Sequence, residues 1–140
     1  MGAQFEGLEV SEAQEFCERW LPAWTGNDPE GLASFYTEDV FYCDPAIPDG
    51  VQGREALTAY FTRLLARFPD WVWTSTEAIP MEGGFLNLWH ATIPMEGELT
   101  VECDGVCSVQ LRDGLIARNM VYFDRSELLA AIAELEVGAE

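Results

Sequence analysis

The sequence predicts an α+β fold, with a strongly curved, cone-shaped mixed β-sheet wrapped around about three N-terminal helices and a short C-terminal helix. Three observations predict it. Apolar residues recur at three and four positions in the first half of the chain, and the period changes to two after Pro69. One β-prone run, Val40 to Asp44, interrupts the helical half. Four further strand-like runs then follow one another, joined by turns of Pro, Gly and Asp. Helices gathered before a meander of strands belong on one side of a sheet.

Ser11 and Gln14 fit a capping box, and Ala13, Phe16, Cys17, Trp20, Leu21 and Trp24 draw one apolar helix face. Pro22 kinks or ends that helix. Asp28-Pro29 pairs an N-cap with proline at the first helical position, opening a short helix with Leu32, Phe35 and Tyr36 inward. Val40 to Asp44 is the first strand, and two prolines and two glycines break the chain just beyond it. The next helix runs roughly from Arg54 to Arg67 and buries Leu57, Tyr60, Phe61, Leu64, Leu65 and Phe68. Strands follow at Trp71 to Ile79, Phe85 to Ile93, Leu99 to Leu111 and Leu115 to Phe123. Gly105, inside the third of these, marks an expected bulge or bend. Ser126 to Glu134 closes the chain as a helix with Leu128, Leu129, Ile132 and Leu135 apolar.

A chain of 140 residues is one domain, 1–140, with a single sizeable core. Its 7 basic against 25 acidic residues give a net charge of −18, which repels phosphate backbones and anionic lipid. Nucleic acid and membrane partners are therefore not expected. The N-terminus lacks a basic stretch followed by an apolar one, so no secretory signal is read there. Cys17, Cys43, Cys103 and Cys107 form no CxxC pair. On one strand, Cys103 and Cys107 would share a face about 13 Å apart, too far for a disulfide or a shared zinc. The cysteines read as reduced core filler in a cytoplasmic protein without a metal site.

Three pieces of the chain carry a family resemblance. They are Asn27-Asp28-Pro29-Glu30-Gly31-Leu32 through Phe35 to Val40, Asp44-Pro45 through Gly53-Arg54-Glu55-Ala56-Leu57, and Arg112-Asp113-Gly114-Leu115-Ile116 running to Val121-Tyr122-Phe123-Asp124. In order and spacing the chain, over about residues 11 to 135, resembles the SnoaL-like polyketide cyclase group of the nuclear-transport-factor-2-like superfamily, with relatives in ketosteroid isomerase and limonene-1,2-epoxide hydrolase. That fold hosts enzymes and plain binding modules alike. The resemblance puts Asp44 where ketosteroid isomerases keep their proton-abstracting aspartate. Trp20 takes the place of their oxyanion-hole tyrosine, and Val106 falls where their second acid sits. Against the epoxide hydrolases, Tyr42 matches a water-holding tyrosine and Asp124 one of two catalytic aspartates. Asp44 stands where those enzymes have asparagine, Thr92 at the other aspartate, and His90 at the arginine between the two. Neither specialised mechanism transfers intact.

Residues two apart on a strand share a face. The resemblance places Leu88, His90 and Thr92, Met120, Tyr122 and Asp124, Tyr42 and Asp44, and Asp104, Val106 and Ser108 on the concave, pocket side. The expected site is thus a mostly apolar cavity holding Asp124, His90, Asp44 and Tyr42 as catalytic residues. Trp20, Leu88, Thr92, Val106, Ser108, Met120 and Tyr122 are its substrate-binding residues. Desolvation of a carboxylate raises its pKa toward values useful for proton transfer. Each residue has a plainer reading: Asp44 as a solvated turn residue, Asp124 as the cap of the last helix, His90 and Tyr42 as core packing. Trp71, Trp73 and Trp89 read as core or dimer-interface aromatics, or as a stacking platform.

The expected function is cofactor-independent acid–base chemistry on a small, largely apolar molecule, of isomerase, cyclase, dehydratase or ring-opening hydrolase type. The alternative is a non-catalytic ligand-binding module, and in either case the resemblance implies a homodimer through the open sheet face. The enzyme reading gains if Asp44, His90 and Asp124 meet across one closed pocket, and it fails if two or more of them face bulk water.

Overall fold

The computed structural model describes residues 8–138. Helix α1 (Val10–Trp20) runs into a 3-10 turn, Leu21–Trp24, and a short α2 (Pro29–Ala33) follows. A tight hairpin, β1 (Tyr36–Asp44) and β2 (Ile47–Gln52), leads into α3 (Arg54–Arg67). The meander β3 (Val72–Met81), β4 (Gly84–Pro94), β5 (Thr100–Arg112) and β6 (Leu115–Phe123) ends in α4 (Ser126–Gly138). The six strands form one curved sheet in the order β2-β1-β6-β5-β4-β3. β1 and β6 pair in parallel and every other pair is antiparallel. The sheet has two free edges, β2 and β3, and is not a closed barrel.

The local chemistry departs from expectation in four places. The N-cap of α1 is Glu9, not Ser11, and its backbone N–H donates to Glu12 Oε1 at 3.0 Å. α2 ends at Ala33 because Tyr36, expected to continue it, already pairs with Ile116 of β6. β2 is an additional strand. Its Pro48 and Gly50 argue against a strand in the interior of a sheet, but at an edge one side of the ladder is unpaired and proline is tolerated. Gly105 carries no bulge: it sits opposite Trp89 in an unbroken ladder between β4 and β5. A Cβ at Gly105 would lie 2.6 Å from the Tyr122 carbonyl oxygen and closer still to the Trp89 ring. Glycine is there so that the indole can lie against the strand.

α1 packs on β3 and β4, α3 on α2 and β1, and α4 on β5. The core between helices and sheet is strongly aromatic. Trp24 lies 5.1 Å from Phe61, 5.9 Å from Trp73 and 6.3 Å from Tyr42, centroid to centroid. Each such ring removes 150–250 Å² or so from water, which makes this cluster the dominant apolar contribution to the fold. Buried polar atoms are tied in alongside. Trp20 Nε1 donates to Tyr36 Oη at 3.3 Å, and Tyr36 Oη donates to Asn119 Oδ1 at 3.0 Å.

Candidate functional site

A cavity of about 360 Å³ opens between α3, α4 and the concave face of the sheet. All five tryptophans of the chain line it: Trp20, Trp24, Trp71, Trp73 and Trp89. Cys107, Val121 and Phe123 complete the sheet wall, and Leu128, Leu129 and Ile132 of α4 close one side. Its volume suits a small organic molecule.

The polar feature of the wall is Asp44. As the last residue of β1 it is buried, and its carboxylate accepts four hydrogen bonds. Tyr42 Oη and Tyr60 Oη donate to Oδ2 at 2.8 and 2.7 Å. The backbone N–H groups of Ala46 and Ile47 donate to Oδ1 at 2.8 and 3.2 Å. Asp44 therefore fills both roles that the sequence left open, turning the chain into β2 and presenting a charge to the cavity wall. An ionised carboxylate has about four acceptor positions, so the group is saturated. Burial first, and then the Asp44 charge, push the Tyr42 phenol well above its ordinary range. Burial and the hydrogen bond to Asp44 raise that of Tyr60. Both phenols are therefore donors rather than bases at neutral pH.

Tyr60 is the site residue that the sequence reading missed. Helical spacing puts it on the buried face of α3, which holds for its ring, and periodicity carries no sign that its hydroxyl meets Asp44. Arg63, Leu64 and Arg67 continue the same face of the helix and also line the cavity.

The strand parity differs from the expectation. In β4 the concave face carries Phe85, Asn87, Trp89, Ala91 and Ile93, all buried, whereas Leu86, Leu88, His90 and Thr92 are only half-buried on the convex face. The ladder continues the pattern. Leu88 pairs with Val106 and Val106 with Tyr122, while Leu86 pairs with Ser108 and Ser108 with Met120. Leu88, Thr92, Val106, Ser108, Met120 and Tyr122 thus lie away from the cavity, and Cys107, Val121 and Phe123 take their place. A one-residue slip in strand alignment inverts every side chain.

His90 goes with the convex face. Its Nδ1 lies 2.8 Å from Asp104 Oδ1 and its Nε2 3.0 Å from Glu102 Oε1, so two carboxylates bracket an exposed ring. Those two hydrogen bonds raise its pKa. Asp124 is exposed and holds the first turn of α4. Its Oδ1 accepts from the backbone N–H of Ser126 at 2.9 Å and from the Ser126 hydroxyl at 2.6 Å, and these bonds lower its pKa. Of the four residues expected to be catalytic, Asp44 and Tyr42 meet in the cavity wall and His90 and Asp124 lie outside it. The enzyme reading that joins Asp44, His90 and Asp124 in one pocket therefore fails, and any acid–base chemistry here rests on Asp44 and its two phenols. Trp20 does line the cavity.

The family model for the SnoaL-like domain matches residues 17–119. No curated protein matches the chain. Among solved structures, a protein with a ketosteroid isomerase-like fold from Catenulispora acidiphila DSM 44928, in complex with trimethylamine, superposes with a TM-score of 0.74. It is 24% identical, over 83% of this chain and 90% of that one. A protein from Jannaschia sp. CCS1 assigned to the SnoaL-like polyketide cyclases is 16% identical with a TM-score of 0.73, over 88% and 92% of the two chains. TerC co-crystallised with polyporic acid is 17% identical with a TM-score of 0.70, over 83% and 94%. At these identities the likeness is one of fold. Among the described residues no helix is long and apolar enough to cross a membrane.

Proposed function

The chain belongs to the SnoaL-like domain family, and we propose that its cavity binds a small, largely apolar organic molecule and performs cofactor-independent acid–base chemistry on it. The observation that carries this reading is the buried Asp44 carboxylate, hydrogen-bonded to two phenols in an otherwise aromatic wall. Carboxylate and phenol together supply a base and a hydrogen-bond donor in a site of low polarity, where each acts more strongly than in water. Because the acceptor positions of Asp44 are taken, a substrate proton must displace one phenol. Tyr60 is the one that moves, because it keeps 9% of its surface exposed whereas Tyr42 keeps 2%. Asp44 then accepts the proton, and the released Tyr60 hydroxyl donates to the oxygen on which negative charge develops. Isomerisation, aldol-type cyclisation and dehydration share that step; in hydrolytic ring opening the proton that Asp44 accepts comes from the attacking water and the phenol donates to the ring oxygen.

The test is a panel of enones, epoxides and polyketide mimics assayed with wild type, Asp44→Asn and Asp124→Asn. Turnover lost in the first variant and kept in the second supports the mechanism; turnover kept in Asp44→Asn removes it. A second reading, a non-catalytic binding module, is favoured by the saturated hydrogen bonding of Asp44 and by the solvent-facing positions of His90 and Asp124. Binding of panel compounds without turnover would decide for it. In both readings two copies pair through the convex face, where Leu88, Val106 and the half-exposed Tyr122 form a row across three strands. Sedimentation equilibrium of wild type and Tyr122→Glu tests the pairing, the variant being expected as a monomer.

A further inference from the structure

The charged residues lining the cavity are Asp44, Arg63, Arg67 and Arg125. Three cations against one anion give the lining a net charge of +2, inside a chain whose total is −18. Three of only seven basic residues are gathered here. Arg54 and Arg112 pair with Glu38 and Asp39, but Arg63, Arg67 and Arg125 have no carboxylate within ion-pair distance among the described residues. Two of the three, Arg63 and Arg67, stand four apart on α3, a like-charge spacing that weakens a helix in the absence of a counter-ion. The third, Arg125, stands in the link just before α4 and lines the same cavity. Arg63 and Arg125 line the same cavity as Tyr60 and Asp44, so the positive charge and the polar part of the wall share one space. A solvated helix face would account for Arg63 and Arg67 alone. It does not account for a third arginine, outside that helix, lining the same cavity in so acidic a chain.

We propose that the molecule seated in this cavity is an aromatic or polycyclic oxyanion, its rings against the indoles and its carboxylate or acidic phenolate held at the rim by Arg63, Arg67 and Arg125. The proposal rests on the reading that the cavity holds a small organic molecule, and adds the charge and the place of that charge. Guanidinium groups recognise carboxylates by paired N–H donors as well as by charge. Without them, the net charge of the protein would repel such a ligand. The anchored anion also fixes which end of the ring system points inward, toward Trp20 and Trp89.

Isothermal titration with matched pairs tests it: 2-naphthoate against 2-naphthamide, and the corresponding anthracene acid and amide. The expected result is that each acid binds about tenfold more tightly than its amide at low salt, a difference that shrinks as salt screens exposed charges. In the triple variant Arg63→Gln, Arg67→Gln, Arg125→Gln the preference disappears and amide affinity is retained. Thermal melting of the variant confirms that it is folded. Equal affinity of acid and amide in the wild type, or a preference that survives the triple variant, overturns the anion proposal and leaves the cavity reading standing. No binding of any of the four probes overturns the cavity reading and the proposal with it.

Discussion

Replacing Asp44 by Asn keeps the shape of the side chain and changes only what its second oxygen can do. The amide oxygen still accepts from Ala46 and Ile47, but an NH₂ group in place of Oδ2 cannot accept the hydrogens of Tyr42 and Tyr60. Two hydrogen bonds to a charged acceptor are lost, each about 1.5–3 kcal/mol. Rotation of the phenols to accept from the amide, together with relief of burying a charge, returns part of that sum. The expected net loss is about 2–4 kcal/mol, or a Tm lower by roughly 6–12 °C for a domain of this size. The partner variant Tyr60→Phe removes one of the same bonds. Chemical denaturation of wild type, both single variants and the double variant should therefore give a coupling energy of about 1.5 kcal/mol. Losses that add within roughly 0.5 kcal/mol would refute the claim that Tyr60 and Asp44 form one energetic unit.

Gly105→Ala should cost about 1–3 kcal/mol, because the new methyl group overpacks against a fully buried Trp89; an unchanged denaturation midpoint and near-ultraviolet dichroism would show that the indole is not wedged there. His90 is the only histidine of the chain, so its ring protons can be followed by NMR; they should titrate above the ordinary value of about 6.5, and Asp104→Asn should lower the midpoint. The raised folded pKa means that this group's contribution to stability is present below the ordinary histidine value and is lost as pH rises through the raised one. Tyr36, Tyr42 and Tyr60 all have folded pKa values above the unfolded value, so their contribution holds below about pH 10 and is lost above it. Phenolate absorbance should accordingly appear for these three only together with loss of the near-ultraviolet dichroism, and reversible ionisation of all three in the folded protein would contradict their burial.

What could be read from the sequence were features of short range. The change of period after Pro69 located the meander, Asp28-Pro29 located α2, and Asp44 was placed at the junction of a strand and a turn because that is local chemistry. The chain by itself also determined the aromatic richness of the core and the scarcity of positive charge. The face of each strand was not legible. In β4 both alternating sets, Phe85-Asn87-Trp89-Ala91-Ile93 and Leu86-Leu88-His90-Thr92, mix apolar with polar residues, so a period of two fits either orientation equally well. Only packing against the helices decided it, because a cavity wall takes the larger, drier set and leaves His90 to carboxylates in water. The same holds for Tyr60 and the three rim arginines. Asp44 and Tyr60 are sixteen residues apart on different elements, and Arg63 and Arg125 sixty-two apart. No local pattern records such meetings, which exist only when α3 and α4 are laid across the concave face of the sheet.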